Sequence, residues 1–236
     1  MKTSTVFAGL LATALVGVSA TALADDGPFV VRVRALDIRP ANRSDAIPAL
    51  GVAADQIDVS SKWIPDIDLE YYFAPQWSTE LVLTVPQQHE VSVEGVGSLG
   101  TFKQLPPTLT AKYHFNPNGT VSPYVGAGVN LTLLMDVNLA VPGAALGAGN
   151  SALVAHPSVR PVAHAAAGDL PLTLENHSFG GAVQAGVDIK FADHWYGNLD
   201  VKYVQIRSDV MLQGGTKVSA VKVDPLLVGV GVAYRF

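Results

Sequence analysis

The stretch IPDIDLEYYFAPQWSTELVLTV, residues 64–85, decides how the chain is read. Ile67, Leu69, Tyr71 and Phe73 alternate with Asp66, Asp68, Glu70 and Tyr72; after the short turn Ala74-Pro75-Gln76-Trp77, Leu81, Leu83 and Val85 alternate with Glu80 and Thr84. A period of two places the apolar set on one face of a strand and the charged set on the other. Each arm is close to the ~10 residues with which a tilted strand crosses a bilayer. A soluble up-and-down barrel would carry the same alternation with its faces exchanged. The aromatics separate the two cases, because Tyr71, Phe73 and Trp77 crowd the short turn as side chains do at a membrane interface.

The same pattern recurs on both sides of this hairpin. Strands are expected near Phe29 to Ile38, Ile64 to Phe73, Ser78 to Val85, Pro107 to Phe115, Val121 to Leu133, Phe179 to Phe191, around Leu199 to Tyr203, and Leu226 to Phe236. The connections at 74–77, 116–119 and 192–194 are short, whereas 39–62, 86–105, 134–178 and 205–220 are long. Tyr113, Phe115, Phe191, Trp195, Tyr196, Tyr234 and Phe236 join the first three aromatics at the short-turn ends, forming one girdle. The expected fold is all-β: an eight-stranded antiparallel transmembrane β-barrel with short periplasmic turns and long extracellular loops.

Composition agrees with this reading. The 236 residues carry 49% hydrophobic and only 15% charged side chains, no cysteine, and a formal net charge of -5. No basic run is present, which argues against nucleic acid as a partner. The absence of cysteine removes thiolate metal sites and thiol catalysis. Lys2, the apolar run Val6 to Val18 and the small-x-small Ala22-Leu23-Ala24 read as a signal peptide over 1–24, leaving residues 25–236 as a single barrel domain. Export without a later apolar helix fits the outer membrane.

Assigning the polar faces to the lumen places Arg32, Arg34, Lys112, Lys190, Lys202 and Arg235 inside with Asp66, Asp68, Glu70, Glu80, Asp188 and Asp200, six cations against six anions. Such a network fills an eight-stranded interior and leaves no wide aqueous channel.

Several stretches together resemble the outer-membrane protein W (OmpW) family of eight-stranded barrels: TVPQQHEVSV from Thr84, LPPTLTAKYHF from Leu105, VSPYVGAGVN from Val121, SFGGAVQAGVDIKFADHWYGNLDVKYV from Ser178 and VDPLLVGVGVAYRF from Val223. The resemblance covers most of the chain after residue 24. Tyr234 and the final Phe236 look like the signal read by the outer-membrane assembly machinery. The segment 134–178, rich in Ala, Gly and Pro, is longer than the family pattern. The resemblance implies passive uptake of small hydrophobic molecules, with outer-membrane lipid and lipopolysaccharide as surroundings and no cofactor.

An apolar solute is stopped mainly by the polar lipopolysaccharide leaflet, so an apolar path through that layer would suffice, with lateral exit into lipid. Candidate funnel residues are Trp63, Leu133, Leu134, Met135 and Leu139, with Val141, Leu146, Leu153 and Val154 beyond them. Pro65, Pro86, Pro106 and Pro225 near the outer strand ends remove ladder donors; they fit strand termination, or a weak point in the wall. A structural or adhesive barrel binding a partner through its loops is the alternative. A lipid A-modifying enzyme would draw on Ser151, Ser158 and Ser178 with His156, His164 and His177, but no nucleophile motif surrounds them, so no catalytic residue is assigned. The histidines show no ligand spacing, so no metal site is assigned.

Overall fold

The computed structural model describes residues 27–46, 53–94, 96–142, 169–212 and 217–236. They form the strands β1 (Phe29–Arg39), β2 (Arg43–Ser44), β3 (Ile57–Val59), β4 (Lys62–Ala74), β5 (Trp77–Leu83), β6 (Gln87–Val93), β7 (Gly97–Leu105), β8 (Thr108–His114), β9 (Val121–Val141), β10 (Leu170–Leu174), β11 (His177–Ala192), β12 (Trp195–Val204), β13 (Arg207–Leu212), β14 (Lys217–Lys222) and β15 (Leu226–Arg235). The expected signal peptide lies outside the described residues.

Eight strands close the wall in the order β1-β4-β5-β8-β9-β11-β12-β15, with β15 pairing back to β1, all antiparallel. Closure gives every wall strand a paired neighbour on both sides. Outward side chains are apolar, among them Val33, Leu69, Leu109, Val129, Val183, Leu199 and Val230. Ring contacts link neighbouring strands at the turn end: Phe29 with Tyr71 at 5.0 Å, Trp77 with Tyr113 at 5.1 Å and Trp195 with Tyr234 at 5.0 Å. Tyr196 is the exception to the expected girdle. It is buried beside Val30 and Ala233, because period two sends it inward next to outward Trp195.

Above this barrel the long connections do not behave as loops. They form a second tier in the order β3-β6-β7-β9-β10-β13-β14-β2, with β9 running unbroken through both. Its seam between β2 and β3 is joined by Asp55 N donating to Ser44 O at 3.0 Å, Val59 N donating to Asn42 Oδ1 at 3.0 Å, and Asn42 Nδ2 donating to Asp58. The lower ladders other than β1–β4 resume in the upper tier across a break, and Pro40, Pro65, Pro86, Pro106, Pro107 and Pro225 lie at this level. Without an N–H, these residues interrupt the ladder where one tier gives way to the next.

Candidate hydrophobic passage

The upper tier encloses an apolar chamber of about 810 Å3 of empty space, its open mouth included. Ile57 and Val59 come from β3, Val91 and Val93 from β6, Leu99 and Phe102 from β7, Leu172 and Leu174 from β10, Val210 from β13 and Val221 from β14. Among the described residues Ser208 is the one polar side chain in its lining. The alternation Gln87, His89, Val91, Val93 turns every second side chain of β6 inward, and Ser208, Val210 and Leu212 do the same on β13.

On β9 the inward face changes parity. Tyr124, Asn130, Thr132 and Leu134 point in, and then Leu139 and Val141. Asp136, with a φ of 50°, lies where the β7–β9 register shifts, and this bulge moves the inward set by one residue.

Beneath the chamber, and sharing Ile206 with it, a second pocket of about 540 Å3 of empty space, its opening included, spans the tier boundary. Leu36, Ile38, Ile64, Val82, Val204 and Leu227 form its walls, while Arg34, Asp66 and Lys202 form its floor. On one side the wall is incomplete. The β4–β5 ladder stops at Ile67↔Leu83 and resumes in the same register at Ser60 N donating to Glu90 O, leaving 61–66 facing 84–89 with no ladder between them. Pro65 and Pro86 sit within that interval. The β5–β8 ladder also ends at Val82↔Thr108, so Thr84-Val85-Pro86 has no ladder partner on either side and faces Pro106 and Pro107.

Below the second pocket the lumen is plugged by ions. Arg34 holds Asp66 at 2.7 Å and Asp68 at 2.6 Å; Arg32 holds Asp188 at 2.8 Å and bonds Glu70; Glu80 bridges Lys202 at 2.8 Å and Lys112 at 3.1 Å. Lys112 lies 3.8 Å from the Tyr124 ring centroid, and Tyr124 donates to Asp200 at 2.8 Å. Gly186 makes room for that ring, since a Cβ there would stand 2.4 Å from the Tyr124 hydroxyl. His114 Nε2–H points to Glu70 at 3.0 Å, with Tyr72 OH at 3.3 Å from Nδ1.

Ten of the twelve expected lumen charges meet in this cluster. Lys190 and Arg235 do not: they lie at the periplasmic rim over Tyr196 and Tyr72, because both sit within a few residues of a turn. The cluster is therefore not balanced. It holds Arg32, Arg34, Lys112 and Lys202 against Asp66, Asp68, Glu70, Glu80, Asp188 and Asp200.

Of the expected funnel residues, Leu134 and Leu139 line the chamber. Trp63 is 62% exposed on the outer wall, on the same face of β4 as Ile67 and Leu69, and Leu133 likewise faces outward. Met135 is half-buried and absent from the chamber lining, next to the bulge. Val141 joins the lining; Leu146, Leu153 and Val154 lie outside the described residues. So do Ser151, Ser158, His156 and His164, whereas Ser178 Oγ accepts from Arg207 N at 2.9 Å. Tyr234 and Phe236 pack edge to face at 4.9 Å in the girdle. Sequence reasoning missed the lining from β3, β6, β7, β10, β13 and β14.

Comparison with known proteins bears on this arrangement. A family model described as the OmpW family matches residues 25–160 and 145–236. The outer-membrane protein y4mB of Sinorhizobium fredii is 32% identical over 217 residues, covering 89% of this chain and 80% of its own length. Outer membrane protein W of Vibrio cholerae is 28% identical over 219 residues, with 89% of each chain covered. The crystal structure of the outer membrane protein OprG from Pseudomonas aeruginosa aligns with a TM-score of 0.67 at 28% identity, covering 89% of this chain and 96% of that one.

Proposed function

The chain belongs to the OmpW family of outer-membrane barrels, and from that premise we propose that its upper tier admits small hydrophobic molecules and releases them sideways into the membrane. The carrying observation is the stacking of an apolar chamber and the second pocket beneath it on a plug of paired charges. Such a solute gains burial in the chamber, at roughly 25 cal/mol per Å2 of apolar surface removed from water. It gains nothing by entering a lumen of fixed charges. The seam between 61–66 and 84–89 offers the way out, since it opens from the second pocket toward the lipid-facing surface. The tier stands in the lipopolysaccharide layer, the barrier that an apolar solute must pass.

We assign no catalytic residue and no cofactor. Cleavage after Ala24 would leave Asp25 as the first residue, and the family match beginning at residue 25 supports it.

The test joins the two sides of the seam. In this cysteine-free chain, Pro65→Cys with Val85→Cys places two thiols at facing positions of the interrupted register. Oxidised cells should take up a poorly soluble hydrocarbon more slowly than reduced ones, while single-cysteine variants show no redox dependence. An unchanged rate with the bridge verified on gels would refute lateral exit. Equal uptake with and without the protein would refute the hydrophobic-uptake reading as a whole.

A further inference from the structure

The outer surface of the upper tier carries a row of cations that neither chamber nor seam uses. Arg207 on β13 pairs in register with Lys222 on β14, and Lys222 pairs with Arg43 on β2. All three point away from the chamber: Ser208 and Val210 alternate inward with Arg207, Val221 and Val223 with Lys222, and Ser44 with Arg43. Neighbouring strands are ~4.8 Å apart, so the three side chains stand abreast over about 10 Å.

Their height on the barrel sets what they face. Arg207 and Lys222 lie twelve residues beyond the girdle positions Trp195 and Tyr234 on the same continuing ladders. At ~3.3 Å per residue and a tilt of ~40°, that is about 30 Å of climb, against an apolar band about 25 Å tall. The row therefore stands just above the outer hydrocarbon boundary, where lipid headgroups begin.

Acidic neighbours do not saturate the row. Arg207 Nε reaches Asp224 only at 3.5 Å, and that carboxylate also accepts Ile206 N at 3.0 Å. Lys222 Nζ is 3.6 Å from Asp45. Arg43 has no carboxylate partner among the described residues. Arg39 is different, since Asp37 holds it at 2.6 Å. Across the β2–β3 seam Asp58 accepts from Asn42, next to Arg43, and Glu90 and Glu94 lie further round the tier, on or beside β6.

We propose that Arg43, Lys222 and Arg207 form a binding site for the phosphate groups of the glycolipid in the outer leaflet, the lipid A part of lipopolysaccharide. Guanidinium groups take phosphate through paired charge-assisted hydrogen bonds, and the ammonium between them adds a point charge. The site anchors the tier on its β13–β14–β2 side, with β3 between it and the gap at 61–66 and 84–89. It rests on the placement of the upper tier in the outer leaflet and not on what the chamber carries.

The experiment uses the whole mature chain refolded in detergent, titrated with bisphosphorylated lipid A and with enzymatically dephosphorylated lipid A. Wild type should bind the phosphorylated form at least tenfold more tightly, read as a shift in thermal midpoint. The variant R43Q/K222Q/R207Q should bind both forms alike, whereas K103Q, a cation on β7, should behave as wild type. Heat-modifiable migration checks that each variant is folded. Wild type without preference for the phosphorylated lipid, or a triple variant that keeps the preference, would overturn the site. Hydrocarbon uptake is measured separately, so failure of the uptake reading leaves this result interpretable.

Discussion

An arginine walked along the outer face of β9 should trace the thickness of the membrane. Val121, Val125, Ala127, Val129, Leu131 and Leu133 all face outward, and β9 is paired with β11 throughout this stretch and with β8 over most of it, so a substituted side chain cannot turn inward. Val121 pairs with Ile189 at the girdle end, and Leu131 pairs with Phe179, which is 73% exposed at the opposite border. Ten rises of ~3.3 Å at ~40° tilt separate Val121 from Leu131, about 25 Å, which places Ala127 near the midplane. Ala127→Arg should therefore cost about 2 to 4 kcal/mol, Val129→Arg somewhat less, and Val121→Arg and Leu133→Arg about 0 to 1 kcal/mol. Urea titration of barrels folded into vesicles, followed by the fluorescence of Trp63, Trp77 and Trp195, measures the series. A flat profile, or a maximum at either end, would refute the assignment of faces and the position of the band.

Other outcomes follow from the interior. Lys202→Met removes a cation from a cluster already rich in carboxylates and strands Glu80 Oε1, so it should destabilise by about 3 to 5 kcal/mol in the same titration. The formal excess of carboxylates over Lys and Arg under the second pocket should turn anions away: a long-chain methyl ester should enter at least ~10-fold faster than its free acid, a difference of about 1.4 kcal/mol, and equal barrel-dependent rates would contradict this. His89, above the membrane band, hydrogen-bonds Ser60 O at 3.0 Å and lies 3.1 Å from Gln104, and burial lowers its imidazole below the ordinary value. A lowered folded value means the unfolded chain takes the proton first, so its contribution is complete above pH ~6.5 and is lost as pH falls from there through the folded value. Protease sensitivity of the upper tier should rise between pH 7.5 and 5.5 in wild type and stay level in His89→Gln.

How much of this was legible in the sequence depended on length and on parity. The eight wall strands could be read because each sustains period two over about ten residues and ends at a turn marked by Pro, Asn or Asp with aromatics beside it. The upper tier was harder. Its strands are short, β2 at 2 residues and β3 at 3, and they are set off by prolines that read equally well as loop markers. The signal present is the alternation of Gln87, His89, Val91 and Val93, and of Ser208, Val210 and Leu212, inside the long connections 86–105 and 205–220. The funnel residues divided according to parity. Counting by twos from Leu131 sends Leu133 outward and Leu134 inward, but Leu139 turns inward only because the bulge at Asp136 adds a residue, and a left-handed Asp cannot be identified from sequence pattern alone. Trp63 stands at the height of the funnel, but its parity with Ile67 puts it on the outside.

The two tiers impose opposite demands on one continuous wall. In the lower tier the outer face meets lipid, so charge must sit inside, and a closed ring of eight strands packs it into a plug. In the upper tier the outer face meets polar headgroups, so charge can move outside, as it does at Arg43, Lys222, Arg207 and Lys103. The interior is then free to be apolar. The inversion is completed within a few residues: β1 faces Arg34 inward and Val33 outward, whereas β14 faces Val221 inward and Lys222 outward. A strand that reverses its polarity passes through a level where neither face needs to be sealed against water or lipid, and there the ladder can be interrupted at the least cost. The prolines gather at that level, and the gap between 61–66 and 84–89 opens there. A solute descending the chamber would thus meet charge below and broken wall beside it, so the proposed lateral path needs no moving gate.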